Sequence, residues 1–332
     1  MTLLYTDTEE ELRAAVRGLL ADRCPPPAVL KRVESPQPYD LDLWKTLSRE
    51  IGVAGLLIPE EYGGAGASAR EAAVVLEELG RGVAPVPFLT SSVLATHALI
   101  QAGAGELLSG LAEGEITAAL VVPFTASPYR VPGGYASVAG ADVADVLLLP
   151  VGGRLRVVTG SAGVVPSLDL TRPIATVALD GEGDDLGPCD LAETLRFGAG
   201  LLASEQLGVA EWCLENTLAY VKERHQFARP VGSFQAVKHR LADLWLDVVR
   251  ARAAARNAAD DGSALSVAVA QAWNSGVALH AAEEAVQLHG GIGMTWEHPV
   301  HLYLKRAKAT EIALGTPGDH RAALAGLADL PG

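Results

Sequence analysis

Apolar residues near the start of the chain recur at helical spacing. Leu12, Val16, Leu19 and Leu20 form one stripe, opened by Thr6-Asp7-Thr8 and followed by Glu9, Glu10 and Glu11. Polar oxygens at such a start accept from the first unpaired backbone amides, so the pattern predicts a capped amphipathic helix. A second helical stretch covers 41–51 and runs into a turn-rich segment over 58–66, after which the helical period resumes over 69–79. The Pro-bearing run 84–88 separates this from a further helix that reaches Leu99. From about Ile116 the texture changes: runs such as Val121-Val122 and Val146-Leu147-Leu148-Leu149 are broken at short intervals by Gly, Pro and Asp, which predicts a small β region to about Asp190. After Leu191 the helical period returns. Leu207, Ala210, Leu214, Leu218 and Val221 make one stripe, and Val237, Leu241, Leu244, Val248 and Ala255 make another on a longer helix. Two more helices are predicted over 266–288 and 300–312, and four antiparallel helices with short connections make a bundle. The predicted fold is mainly α with a small middle β domain: an N-terminal helical domain over 1–115, a reduced β domain over 116–190, and a helical bundle over 191–332.

Composition narrows the class. With 332 residues, 49% of them hydrophobic and 20% charged, the chain can bury enough apolar surface to offset its ordering entropy, and it is too long for one compact core. A formal net charge of −14 speaks against broad binding to nucleic acid or to anionic membranes, which needs clustered cations. Cys24, Cys189 and Cys213 are too few and too scattered for a disulfide framework or a thiolate metal site, which points to a reducing cytoplasm. The acidic start has no basic or apolar leader pattern, and no apolar run reaches the ~18 residues of a membrane helix. These features predict a soluble, unprocessed, cytoplasmic protein without membrane insertion.

Two local patterns carry chemistry. Within 222–240 five Lys or Arg stand against one acid, a reversal of the overall charge. Arg suits a pyrophosphate because its planar fork donates two hydrogen bonds to one anion, although cations at a helix C-terminus also complement the helix dipole. Gln287-Leu288-His289-Gly290-Gly291-Ile292-Gly293 places three glycines just after a helix, where bare backbone amides can face a ligand; such endings also serve as plain C-caps.

Together these segments resemble the acyl-CoA dehydrogenase family. Arg224-His225-Gln226-Phe227, continuing to Phe234-Gln235, looks like its R-x-x-F…F-Q signature, and 287–293 looks like its Q-x-x-G-G-x-G. Pro59-Glu60-Glu61-Tyr62-Gly63-Gly64 matches the N-terminal P-E-x-Y-G-G turn, and Gly315-Thr316 the late G-T. The four matches occur in order over nearly the whole chain. The resemblance implies FAD lying across a subunit interface, with the flavin ring against one subunit's β domain and the ADP half reaching the partner's bundle. Arg224 would then bind the pyrophosphate and Phe227 would pack beside the ADP portion. Gln235 and the segment Gln287, Leu288, His289, Gly290 and Gly291 would hold the ADP moiety, and Thr316 would contact the cofactor in this subunit's own half of the interface. The family's usual Gly after the signature Phe is Ala228 here.

The departures concern the reaction itself. The family removes an α-proton from an acyl-CoA thioester with a Glu while the β-hydrogen leaves as hydride to the flavin, so a positioned base is required. Most members carry this Glu just before the late G-T, where this chain has Leu314; a second branch carries it at the position aligned with Gly198. The neighbouring Arg of active members aligns with Ala199, and the middle domain has no Trp to lie along the flavin. The resemblance therefore implies no catalytic residue in this chain. It implies a subunit of a heteromeric α2β2 acyl-CoA dehydrogenase whose homologous partner supplies the Glu, acting on an acyl-CoA (bulky steroid side-chain thioesters are typical of such enzymes) and passing electrons to an external acceptor. A self-sufficient homo-oligomer with a base relocated to Glu205, Glu297 or Glu311 and a silent acyl-CoA-binding scaffold are the alternatives. His289 and His298 read as packing or surface residues rather than acid-base groups.

Overall fold

The computed structural model describes residues 3–328. Its N-terminal part is helical: α1 (Asp7–Arg23), α2 (Pro26–Val33), α3 (Leu41–Thr46), α4 (Ala69–Arg81), α5 (Thr96–Ala102) and α6 (Gly105–Ala112). The predicted cap of α1 is a reciprocal box, in which Thr6 Oγ1 accepts from the Glu9 amide at 3.3 Å and Glu9 Oε2 from the Thr6 amide at 2.6 Å. Glu9 is nonetheless buried, because its other oxygen takes Arg70 Nε at 2.6 Å. A π-helical segment, Phe88–Ala95, precedes α5 and is buried along its whole length.

Seven short strands follow: β1 (Ala118–Leu120), β2 (Val138–Ala139), β3 (Val146–Val151), β4 (Arg154–Val158), β5 (Gly160–Val165), β6 (Ile174–Leu179) and β7 (Asp184–Pro188). They form one sheet in the order β1-β3-β4-β7, with β1 parallel to β3, and a second, antiparallel sheet in the order β2-β6-β5. The apolar run at 146–149 has its reason here. Leu147 and Leu149 face a small core shared with Val158, Ala175 and Val177, while Leu148 joins the main core on the other side, so both faces of β3 are covered.

The C-terminal part is α7 (Leu191–Glu223), a hairpin of β8 (His225–Gln226) and β9 (Arg229–Pro230), then α8 (Gln235–Asp261), α9 (Ala264–His289), α10 (Val300–Ile312) and α11 (Pro317–Leu327). The middle of α7, residues 198–211, is buried all round because α4 packs on one side and α9 on the other. Glycine makes the α4 approach possible: a Cβ at Gly208 would lie 2.0 Å from the Glu77 carbonyl, and one at Gly80 2.2 Å from that of Glu205. The predicted α7 stripe holds except at Leu218, which is exposed where the helix runs past its neighbours. Helix α11 was not expected from the periodicity, being short and rich in Ala and Gly; Thr316 starts it with a second capping box. Among the described residues no helix is long and apolar enough to cross a membrane, and no group of three or more His, Cys, Asp or Glu could hold a metal.

Candidate functional site

Two regions at opposite ends of α7 contain the residues singled out above. At the C-terminal end, α7 stops because Arg224 turns extended (φ −70°, ψ 122°), and the chain reverses through β8 and β9. The two loop residues of this hairpin, Phe227 and Ala228, both have positive φ (53° and 60°), the type I′ geometry that favours Asn-Gly. Holding a Phe and an Ala there costs on the order of 1–2 kcal/mol per residue, and the strain presents the Phe227 ring to solvent at 86% exposure. Phe234 meets it edge-on at 6.2 Å, and the Arg229 guanidinium lies 3.9 Å from the Phe234 ring centroid.

The end of α9 arrives at the same place. Tyr220 of α7 donates to the His289 carbonyl at 3.2 Å and stacks on its ring at 4.4 Å, while Arg240 of α8 forks onto Glu284 of α9 at 2.6 and 2.7 Å. These ties bring 224–235 beside 287–291. Arg224, Phe227, Gln235, Gln287, Gly290 and Gly291 are exposed, and Leu288 is half-buried. Arg224 makes no ion pair among the described residues, unlike Arg240. Gly290 ends α9 at φ +62°, and a Cβ built on it or on Gly291 would meet nothing within 4 Å, so the turn leaves open space over its backbone. His289 is the exception in this set. Its side chain is buried, Nδ1 donates to the Ala285 carbonyl at 2.6 Å, and burial lowers its pKa below the ordinary histidine value. Only its backbone borders the open turn. His298, 4.5 Å from it ring to ring, is likewise lowered by burial and by the neighbouring histidines.

The second region lies about 38 Å away along α7, at ~1.5 Å for each of the residues between Gly198 and Glu223. The two positions where the family carries its base converge in space: a Cβ on Gly198 would stand 3.3 Å from Leu314 Cδ1 and 2.3 Å from Leu94 Cδ2. All three residues are buried, so this point is apolar. Leu314 is held at φ +54°, its amide donates to the Phe124 carbonyl at 3.0 Å, and His320 Nε2 lies 3.2 Å from its carbonyl. Tyr129 closes over His320 with its hydroxyl 3.2 Å from Nδ1. Thr316 uses its hydroxyl within the chain, accepting from the Asp319 amide at 3.1 Å and donating to Asp319 Oδ2 at 2.7 Å.

The three carboxylates considered as relocated bases differ. Glu297 is exposed, and Glu311 pairs with Lys308 at 2.5 Å. Glu205 is buried between two guanidinium groups, with Arg172 at 2.5 Å and Arg306 at 3.0 Å. Burial alone would raise its pKa, yet the two cations outweigh that and hold it down at about 2. A carboxylate so placed is a poor proton acceptor. Arg306 also grips Asp169 at 2.6 Å and Thr171 Oγ1 at 2.6 Å, completing a buried cluster that joins α7, α10 and the loop before β6. Sequence reasoning missed this cluster and the role of Leu94, because neither has a local motif.

Known proteins resemble the chain over most of its length. Residues 6–115 match the model of the acyl-CoA dehydrogenase N-terminal domain and residues 190–326 that of the C-terminal domain. The chain is 42% identical over 316 residues to the acyl-CoA dehydrogenase IpdE2 of Mycolicibacterium smegmatis, covering 94% of this chain and 96% of that protein. Its fold superposes with a TM-score of 0.85 on a chain of the ChsE4-ChsE5 complex from Mycobacterium tuberculosis, at 29% identity over 100% of both chains. It superposes with 0.87 on a chain of the Tcur3481-Tcur3483 steroid ACAD, at 30% identity over 97% of this chain and 98% of that one. By its fold, its motifs and its relatives, the chain belongs to the acyl-CoA dehydrogenase family.

Proposed function

We propose that this chain is the subunit without a catalytic base in a heteromeric acyl-CoA dehydrogenase of α2β2 type. It offers the ADP-binding half of a shared FAD site to a homologous partner, and the partner supplies the Glu. The observation behind this reading is the packing of Gly198 against both Leu94 and Leu314, which leaves neither a carboxylate nor room for one where the family abstracts its proton. The other end of α7 has the opposite character. The open Gly290-Gly291 turn, the exposed Phe227 and Arg224, which makes no ion pair among the described residues, fit a dinucleotide: Arg224 would fork onto the pyrophosphate, Phe227 would cover the adenosine side, and Gln235 and Gln287 would offer amide hydrogen bonds. FAD, when bound, supplies the hydride acceptor. With some 38 Å between the two ends, one cofactor cannot use both halves of one chain, so a second chain must complete each site. Thr316 is assigned the contact with the cofactor on this chain's own side, through whatever its capping role leaves free. The steroid ACAD among the structural relatives favours a bulky acyl-CoA as substrate.

The self-sufficient alternative needs a relocated base, and the Glu205 environment opposes it. The test is co-purification with the dehydrogenase-like partner followed by a count of flavins per assembly. Arg224→Ala should strip flavin and activity together while both chains stay folded, and Arg224→Lys should restore part, since an ammonium keeps the charge without the two-pronged geometry. An unchanged flavin ratio in Arg224→Ala would eliminate the shared-cofactor reading and leave a silent scaffold.

A further inference from the structure

Tyr220 lies in the last turn of α7 and touches both halves of the exposed end. Its backbone carbonyl accepts from the Arg224 amide at 2.9 Å, the bond that closes the helix just where the chain turns extended. Its hydroxyl donates to the His289 carbonyl at 3.2 Å, the point at which α9 passes into the 3-10 helix Gly290–Met294. Its ring stacks on the His289 ring at 4.4 Å with 25° between the planes.

The open turn winds around His289. That ring is buried, with Tyr220 on one side and the His298 ring 4.5 Å away. A Cβ on Gly293 would stand 3.0 Å from His289 Cβ and 2.7 Å from the Val286 carbonyl, so the far side of the turn closes on the same residue. Gly290 and Gly291 have no side chains to anchor them, and a Cβ on either would meet nothing within 4 Å. The direction of their backbone groups is therefore set by His289, and His289 is tied to α7 by Tyr220. The neighbouring tie, Arg240 with Glu284, joins α8 to an earlier part of α9, and its guanidinium is 44% exposed, where solvent screens the pair.

We propose that Tyr220 is a positioning residue for the dinucleotide: it holds the open Gly290-Gly291 backbone at a fixed distance from Arg224, so that one FAD meets both at once. The proposal rests on the shared-cofactor reading and adds a residue that acts through its neighbours rather than on the cofactor. The physical reason is preorganisation. A ligand that must first bring two anchor points into register gives up part of its binding energy to do so.

The full chain, assembled with its partner and stripped of flavin, is titrated with FAD and followed by flavin fluorescence. Tyr220→Phe keeps the ring stack and removes the hydroxyl. It should raise the FAD dissociation constant about three- to tenfold, the loss typical of one neutral hydrogen bond. The thermal midpoint of the flavin-free assembly should move by no more than about 3 °C. Tyr220→Leu, which removes the stack as well, should weaken FAD further. Because Tyr220 acts through the spacing to Arg224, Tyr220→Phe combined with Arg224→Lys should lose less affinity than the product of the two single losses. If Tyr220→Phe binds FAD as wild type does while Arg224→Ala weakens it, the positioning role is wrong and the shared-cofactor reading stands. A combined loss equal to the product, or an affinity loss that comes only with a larger fall in the midpoint, would likewise overturn the positioning role. A wild-type assembly that takes up no FAD, or an Arg224→Ala assembly that holds it unchanged, would sink both.

Discussion

Replacing Glu205 by Gln tests at once the energetics of the buried cluster and the claim that this carboxylate is not a base. The substitution keeps shape and removes the anion between Arg172, at 2.5 Å, and Arg306, at 3.0 Å. Two routes give its cost. The Glu205 pKa falls from 4.5 to about 2, and at 1.36 kcal/mol per unit the ionised form is favoured in the fold by about 3 kcal/mol. Breaking a buried pair by removing one partner typically costs about 3–5 kcal/mol, because the opposite charge is left buried. Thermal unfolding of the assembled protein should therefore drop by roughly 5–10 °C. The sign with pH follows from a depressed carboxyl. The wild-type advantage is fully present above pH 4.5, narrows as the unfolded chain takes up its proton below that, and vanishes as pH falls through about 2. Unfolding midpoints of wild type and Glu205→Gln between pH 7 and pH 3, measured with turnover and flavin content well below the midpoint, decide the matter. An unchanged midpoint would refute the cluster energetics. A normal midpoint with turnover lowered by ~10²–10⁴ would mean that Glu205 is the proton acceptor after all.

Gly198→Ala should destabilise by about 1–3 kcal/mol, since its Cβ would stand 2.3 Å from Leu94, and adding Leu94→Ala should relieve the clash though not the lost apolar burial; unfolding free energies of the single and double variants check this. Gly291→Leu should leave stability within about 0.5 kcal/mol, because its Cβ meets nothing within 4 Å, yet it should lower flavin per assembly by covering the open turn. Ala228→Gly should raise stability by up to about 1 kcal/mol by releasing a residue held at φ +60°, with flavin content unchanged. If Ala228→Gly lowered flavin content instead, the strained turn would be part of the binding geometry.

Much of the architecture is readable along the chain because period reports burial directly. The 3.6-residue stripes of α1 and α8 follow from one face of each helix being covered, and the unbroken apolar run of β3 from both of its faces being covered. The cap at Thr6 is equally local, since it depends on residues three apart. Substitution at a motif position is also visible without a structure: Leu314 and Gly198 cannot accept a proton in any fold. What lies across the sequence is not visible. That Gly198 lies against both Leu94 and Leu314, and that Arg306 joins Asp169 and Glu205, depends on elements meeting that no pattern in the chain links. The same limit hides the burial of Glu205, whose partners come from α10 and the loop before β6. Local physics acts over a few residues and writes itself into periodicity and caps. A buried charge or a closed cavity is decided by groups a hundred positions apart, so only the tertiary structure determined which carboxylate is locked, which end of α7 is open, and which is sealed.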